Sequence, residues 1–123
     1  MINSPIVQED IKTIADGIKE EANKLSGKTL LITGGAGFLG KYFLLTINYL
    51  SKNILEKPCK VISIDNFITG SEYLIKDNEN FKAIRHDVTK PLKIDEDVHF
   101  IIHAAGIASP KFYRKYIIET IDV

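Results

Sequence analysis

The residues best placed for chemistry form one short run, Thr33-Gly34-Gly35-Ala36-Gly37-Phe38-Leu39-Gly40, which follows an apolar stretch and opens a periodic one. Glycines at this spacing, between a strand and a helix, suit the binding of a dinucleotide pyrophosphate. Gly34 allows the tight turn, Gly37 lets the backbone approach the phosphates, and Gly40 lets the helix pack closely on the strand. A helix that starts at Phe38-Leu39 offers its first N–H groups and positive dipole end to an anion. Asp65 ends the next apolar run, where a carboxylate can accept from both ribose hydroxyls of an adenosine. The bland alternative is a strand-end Asp that caps a turn. Asn66, not Arg, follows it. A carboxylate without an adjacent arginine repels a 2′-phosphate, so the pattern favours NAD over NADP.

Further candidates follow along the chain. Asp87-Val88 ends a third apolar run, beside the expected adenine, where Asp87 can accept from the exocyclic amine or simply form a turn. Ala104-Ala105-Gly106 ends a fourth, and small residues there leave room for ribose and pyrophosphate. Ser109 can face a substrate or cap a helix with Pro110 in its first turn. His86, His99 and His103 are joined by no cysteine or carboxylate cluster, so strand-end packing suits them better than a metal site. Lys111, Arg114 and Lys115 read as a solvated helix face, with a diphosphate contact as the alternative.

These residues need a scaffold, and the periodicity supplies one. Residues 5–25 predict a helix with Val7, Ile11, Ile14, Ile18, Ala22 and Leu25 on one apolar stripe. Ser4 suits its cap, Pro5 its first turn, Glu9 and Asp10 its positive end, and Gly27 its close. This stripe packs on the following domain or, as it approximates a heptad, on another subunit. Residues 28–33, 60–65, 81–86 and 98–104 predict four strands. Residues 38–52 predict a helix with Phe43, Leu44, Ile47 and Leu50 on one face, 71–75 a short helix, and the stretch from Ser109 onward another helix. Alternating strands and helices imply a parallel sheet with right-handed crossovers, and the order expected of a dinucleotide-binding sheet of this kind is 3-2-1-4. The fold class is therefore α/β, a Rossmann-like doubly wound sheet of about four strands behind an N-terminal amphipathic helix. The expected domains are 1–27, the helix, and 28–123, the NAD-binding unit.

Composition narrows the function classes. The 123 residues carry 16 basic and 16 acidic side chains and are 45% hydrophobic, which excludes a disordered or collagen-like chain and leaves no basic footprint for nucleic acid. Cys59 is the single cysteine, so no internal disulfide forms and a cytoplasmic setting is expected. The N-terminus has no apolar signal region, and the charge-free stretch 29–40 is too short and too glycine-rich to span a bilayer.

TGGAGFLG (33–40), IDNFITG (64–70), HDVTKPL (86–92) and IIHAAGIASPKFY (101–113) together resemble the extended short-chain dehydrogenase/reductase family, the NAD-dependent epimerases and dehydratases of nucleotide sugars. The pairing of IDNF-x-TG with HDVT-x-PL resembles its UDP-glucuronate decarboxylase branch. Phe112 and Tyr116-Ile117 depart from that branch's pattern, so decarboxylation, dehydration and epimerisation all stay open. The resemblance implies a keto-sugar intermediate, formed as bound NAD takes hydride from a sugar carbon. It also implies a catalytic Tyr-x-x-x-Lys, the Lys lowering the tyrosine pKa. None of the five tyrosines has a lysine four residues on. The catalytic residues and the sugar-binding lobe are accordingly expected beyond Val123, in a truncated piece that is inactive alone. A non-catalytic NAD sensor on the same fold is the alternative. Truncation would leave the strand at Phe100–Ile102 as an open edge, so pairing with another chain into a homodimer, or marginal stability, is expected.

Overall fold

The computed structural model describes residues 3–68, 76–107 and 110–123. The expected helix at 71–75 lies outside the described residues. Helix α1 (Pro5–Ala22) runs into a single 3-10 turn, Asn23–Leu25, and Gly27, at φ 69°, closes the segment. Then follow β1 (Thr29–Thr33), α2 (Phe38–Asn53), β2 (Lys60–Asp65), β3 (Phe81–Arg85), β4 (Phe100–His103), α3 (Pro110–Lys115) and α4 (Ile117–Asp122). All strand pairs are parallel, in the order β3-β2-β1-β4. This is the expected α/β doubly wound arrangement. The order reverses direction between β1 and β4, and in such sheets the ligand crevice opens at that switch point.

Side-chain alternation divides the sheet into two faces. Leu30, Ile32, Val61 and Phe81 pack with Leu44, Ile47 and Leu50 of α2. Leu31, Ile62 and Ile64 face the other way, against Ile84, Val88, Ile94 and Val98. Every residue of β1 is buried, as a central parallel strand covered on both faces requires. Cys59, a free and buried thiol, lies within the first cluster, and burial pushes its pKa up to about 11.

Helix α1 packs on α2 through Val7 and Ile11 against Leu45 and Tyr49, with Ala15 and Ala22 entering the main core. The expected stripe is therefore rotated. Ile14 and Ile18 are 41% and 42% exposed, while Ala15 between them is fully buried in the main core. Ser4 stands at the cap position, but only its backbone carbonyl is engaged, by the Gln8 N–H at 3.1 Å. Glu9 and Asp10 fall beyond the first turn. Asp10 instead accepts from the Tyr42 hydroxyl at 3.1 Å.

Phe43 is half-buried rather than core. With Ile14, Ile18, Phe38, Leu39 and Phe100 it lines an apolar groove between α1, α2 and the sheet edge. The fourth strand is shorter than expected, and its Ile101 is 68% exposed along the open edge. The C-terminal helical stretch breaks at Tyr116 into α3 and α4. No helix among the described residues is long and apolar enough to cross a membrane.

Candidate functional site

The carboxyl ends of β1, β2 and β4 meet around the glycine loop. As β1 ends, the Gly34 N–H donates to the Ile64 carbonyl of β2 at 2.7 Å. Gly34 takes φ 74°, a region that side chains disfavour, and a Cβ there would lie 2.5 Å from the Ala104 carbonyl oxygen. The loop thus crosses the sheet in contact with both neighbours of β1. Gly37 is the N-cap of α2, and its N–H donates back to the Gly34 carbonyl at 3.1 Å. A Cβ on Gly40 would stand 2.2 Å from that same carbonyl oxygen, so the first turn of α2 rests directly on the loop. The amides of Phe38 and Leu39 begin α2, and first-turn amides have no carbonyl partner within their own helix. Their side chains turn the other way, into the apolar groove.

Asp65 ties the loop to β2. Its Oδ2 accepts from the Ala36 N–H at 3.0 Å and its Oδ1 from the Phe67 N–H at 2.7 Å. A carboxylate offers about four acceptor positions, so two remain after these bonds. Asp65 is buried, yet it borders the cleft together with Asn66, Gly34 and Gly37. Asn66 Oδ1 accepts from the Ile68 N–H at 3.1 Å, fixing the turn after β2.

The opposite wall comes from β4. The Ala104 N–H donates to the Thr33 carbonyl at 3.0 Å and the Ala105 N–H to Thr33 Oγ1 at 3.3 Å. Thr33 Oγ1 also shares a hydrogen bond with His103 Nδ1 at 2.6 Å. His99 Nδ1 accepts from the Thr29 N–H at 3.0 Å, so both histidines knit β4 to β1. Ala104, Ala105 and Gly106 all line the cleft, and a Cβ added to Gly106 would meet nothing within 4 Å.

The end of β3 contributes unevenly. His86 and Val88 line the cleft, but Asp87 is exposed and outside its lining. Asp87 Oδ1 accepts from both the N–H and the hydroxyl of Thr89, at 2.9 and 2.7 Å, and these bonds hold its pKa below the ordinary carboxylate value. The structure therefore gathers Gly34, Gly37, Asp65, Asn66, Val88, Ala104, Ala105 and Gly106 around one cleft. It sets Gly40 beneath the loop, Phe38 and Leu39 on its far side, and Asp87 at the rim. Ser109 lies outside the described residues.

Three contributors escaped the motif reading. A Cβ on Gly35 would lie 1.8 Å from Ser63 Oγ, so the neighbouring strand β2 crowds this position. Ala36 and Thr33 act through an amide and a hydroxyl. The double glycine was a visible signal; its partner on the neighbouring strand was not.

Residues 30–123 match the NAD dependent epimerase/dehydratase family. The chain belongs to this family. Among curated relatives of this epimerase/dehydratase chain, UDP-glucuronic acid decarboxylase 6 of Arabidopsis thaliana is 39% identical over 99 residues, which is 78% of this chain and 26% of the relative. UDP-glucuronic acid decarboxylase 1 of Danio rerio is 38% identical over 97 residues, 76% of this chain and 21% of the relative. The chain thus spans about a quarter or less of the curated relatives it matches. An epimerase structure from Methanothermobacter thermautotrophicus aligns with a TM-score of 0.64 at 23% identity, over 85% of this chain and 30% of that one, and shares the fold.

Proposed function

We propose that the cleft holds the adenosine and pyrophosphate of NAD, within a protein that modifies nucleotide sugars. The observation that carries this reading is Asp65, which borders the cleft with two acceptor positions held by loop amides and two left over. Those two take the ribose hydroxyls, with Asn66 beside them. The amides of Phe38 and Leu39 meet the pyrophosphate over Gly37, while Gly34 and Gly40 hold the loop in shape. Val88 flanks the adenine and Asp87 accepts from its amine at the rim. Ala104, Ala105 and Gly106 leave the space for the cofactor's second ribose, with Ser109 a candidate contact to the sugar or cap of the following helix. The open position above Gly106 supports the fit to this cofactor. Reversible hydride uptake from a sugar carbon is the chemistry that bound NAD supplies, by way of a keto-sugar. Decarboxylation is favoured by the names of the relatives, with dehydration or epimerisation as variants.

No catalytic residue is assigned within this chain, because it contains no Tyr-x-x-x-Lys. The second reading is a non-catalytic NAD sensor on the same fold. The setting is cytoplasmic, in keeping with the buried free thiol of Cys59. The exposed edge of β4 pairs with a second chain to give a homodimer. A stable monomer in sedimentation with a high unfolding midpoint would count against that pairing.

Calorimetric titration tests the cofactor reading. NAD should bind and NADP should bind at least about tenfold more weakly, a difference of roughly 1.4 kcal/mol. A preference for NADP, or no binding of either, overturns it. Incubation with UDP-, dTDP- and GDP-sugars, followed by mass and by configuration, tests the enzyme reading. No loss of carboxyl or water and no inversion in any of them leaves the sensor.

A further inference from the structure

The register of the sheet puts an arginine where the chain order does not. Strand pairing aligns Asp65 of β2 with Arg85 of β3, and the His86 N–H donates to the Asp65 carbonyl at 3.0 Å to lock that alignment. Paired residues on parallel strands project to the same face. An arginine registered beside a carboxylate ordinarily pairs with it, often through two bonds. Such a pair would fill the acceptor positions that a ribose needs, and would offer a cation to a 2′-phosphate. Among the described residues the ion pairs are Lys60–Glu96 and Lys93–Asp95, and Arg85 is in neither. Its guanidinium carbon lies instead 5.3 Å from the centre of the Phe67 ring.

Phe67 reaches that position at a cost. Among the described residues it is the non-glycine one with positive φ, at 61°, a conformation that is an outlier for a bulky side chain. This left-handed turn accompanies two contacts: its N–H donates to Asp65 Oδ1 at 2.7 Å, and its ring lies under Arg85. One residue thus orients the acid through its amide and occupies the neighbouring cation through its ring.

We infer that Phe67 sequesters Arg85 away from Asp65, and that this sequestration sets the preference for NAD over NADP. The inference rests on the proposed reading of the cleft as an NAD site. Phe67 and Arg85 do not line the cleft, so both act as specificity-determining neighbours of Asp65 rather than as ligands of the cofactor.

The test is a calorimetric titration of NAD and NADP against the wild type, Phe67→Ala, Arg85→Ala and the double variant. Release of Arg85 in Phe67→Ala should weaken NAD roughly fivefold and strengthen NADP by a similar factor, as a cation–π contact of about 1 kcal/mol is lost. Arg85→Ala should keep the wild-type preference. The double variant should regain it, because the released cation is gone; a merely structural role for Phe67 would not be rescued in this way. Phe67→Leu keeps apolar bulk without the ring face and should behave as Phe67→Ala; it stands in for Phe67→Ala should circular dichroism show that variant unfolded. A wild-type ratio of NAD to NADP affinity in a folded Phe67 variant, or no rescue in the double variant, overturns the inference alone. A wild type that binds neither dinucleotide overturns the reading of the cleft, and the inference with it.

Discussion

Two aspartates stand at the ends of neighbouring parallel strands, Asp65 closing β2 and Asp87 two residues past β3, and the chain builds them into different surroundings. Asp65 accepts from Ala36, 29 residues earlier in the chain, and so links β2 to the glycine loop. Asp87 accepts from Thr89, two residues later, and links only its own turn. The cause is what lies over each strand end. β2 adjoins the central strand β1, whose glycine loop returns across it, whereas β3 is the outer strand of the described sheet and Asp87 beyond it is exposed. A strand-end aspartate becomes part of a binding cleft when another segment covers it; otherwise it is a turn residue.

The sharpest way to break this contrast is to displace the covering loop. Gly40→Val places a side chain against the Gly34 carbonyl, where the Cβ has 2.2 Å, and backbone cannot yield as a flexible side chain would. The expected loss is about 3 kcal/mol or more of stability, read in urea unfolding, with NAD binding abolished. A variant of wild-type stability would show that the loop does not rest on α2 as described.

Asp65→Ala comes next. It strips the acceptor from the Ala36 and Phe67 amides, so the expected cost is about 1–3 kcal/mol in unfolding. NAD affinity should fall by at least about tenfold in calorimetry. Unchanged NAD affinity in a folded variant would remove Asp65 from the site.

Asp87→Ala should be the mildest. Its unfolding midpoint should barely move near neutral pH, and NAD should weaken by no more than roughly fivefold, as a rim hydrogen bond allows. The pH dependence of that small difference has a fixed sign. The Thr89 bonds lower the folded-state pKa of Asp87, so its contribution is complete above the ordinary carboxylate value and disappears as pH falls through the lower folded value. Unfolding midpoints of wild type and variant should therefore differ slightly at neutral pH and converge in strong acid. A larger effect on NAD than that of Asp65→Ala would invert the comparison.

Much of the scaffold was legible because its signals are local. The apolar runs bounded by glycine or proline, and the 3.6-residue pattern of 38–52, marked β1, β2 and α2 to within about two residues. The strand order is the one expected of a dinucleotide-binding sheet, to which the glycine loop pointed; the alternation of strands and helices by itself implies only a parallel sheet. The rotation of α1 was not legible. Its isoleucines and alanines mark a wide apolar stripe, and only the angle at which α1 meets α2 selects Ala15 over Ile14 and Ile18. The same holds for the glycine loop, where three glycines had readable roles but Gly35 depended on Ser63 of another strand.

By itself the sequence determined a glycine loop between strand and helix, a carboxylate at the next strand end, and small residues at the fourth. These are properties of residue type and near-neighbour spacing, which backbone conformation and periodicity fix locally. Only the tertiary structure decided which aspartate is covered, that Phe38 and Leu39 present amides to one side and side chains to the other, and that Arg85 stands beside Asp65 yet lies on Phe67. Those outcomes depend on strand register and helix crossing, and both arise from contacts between residues far apart in the chain.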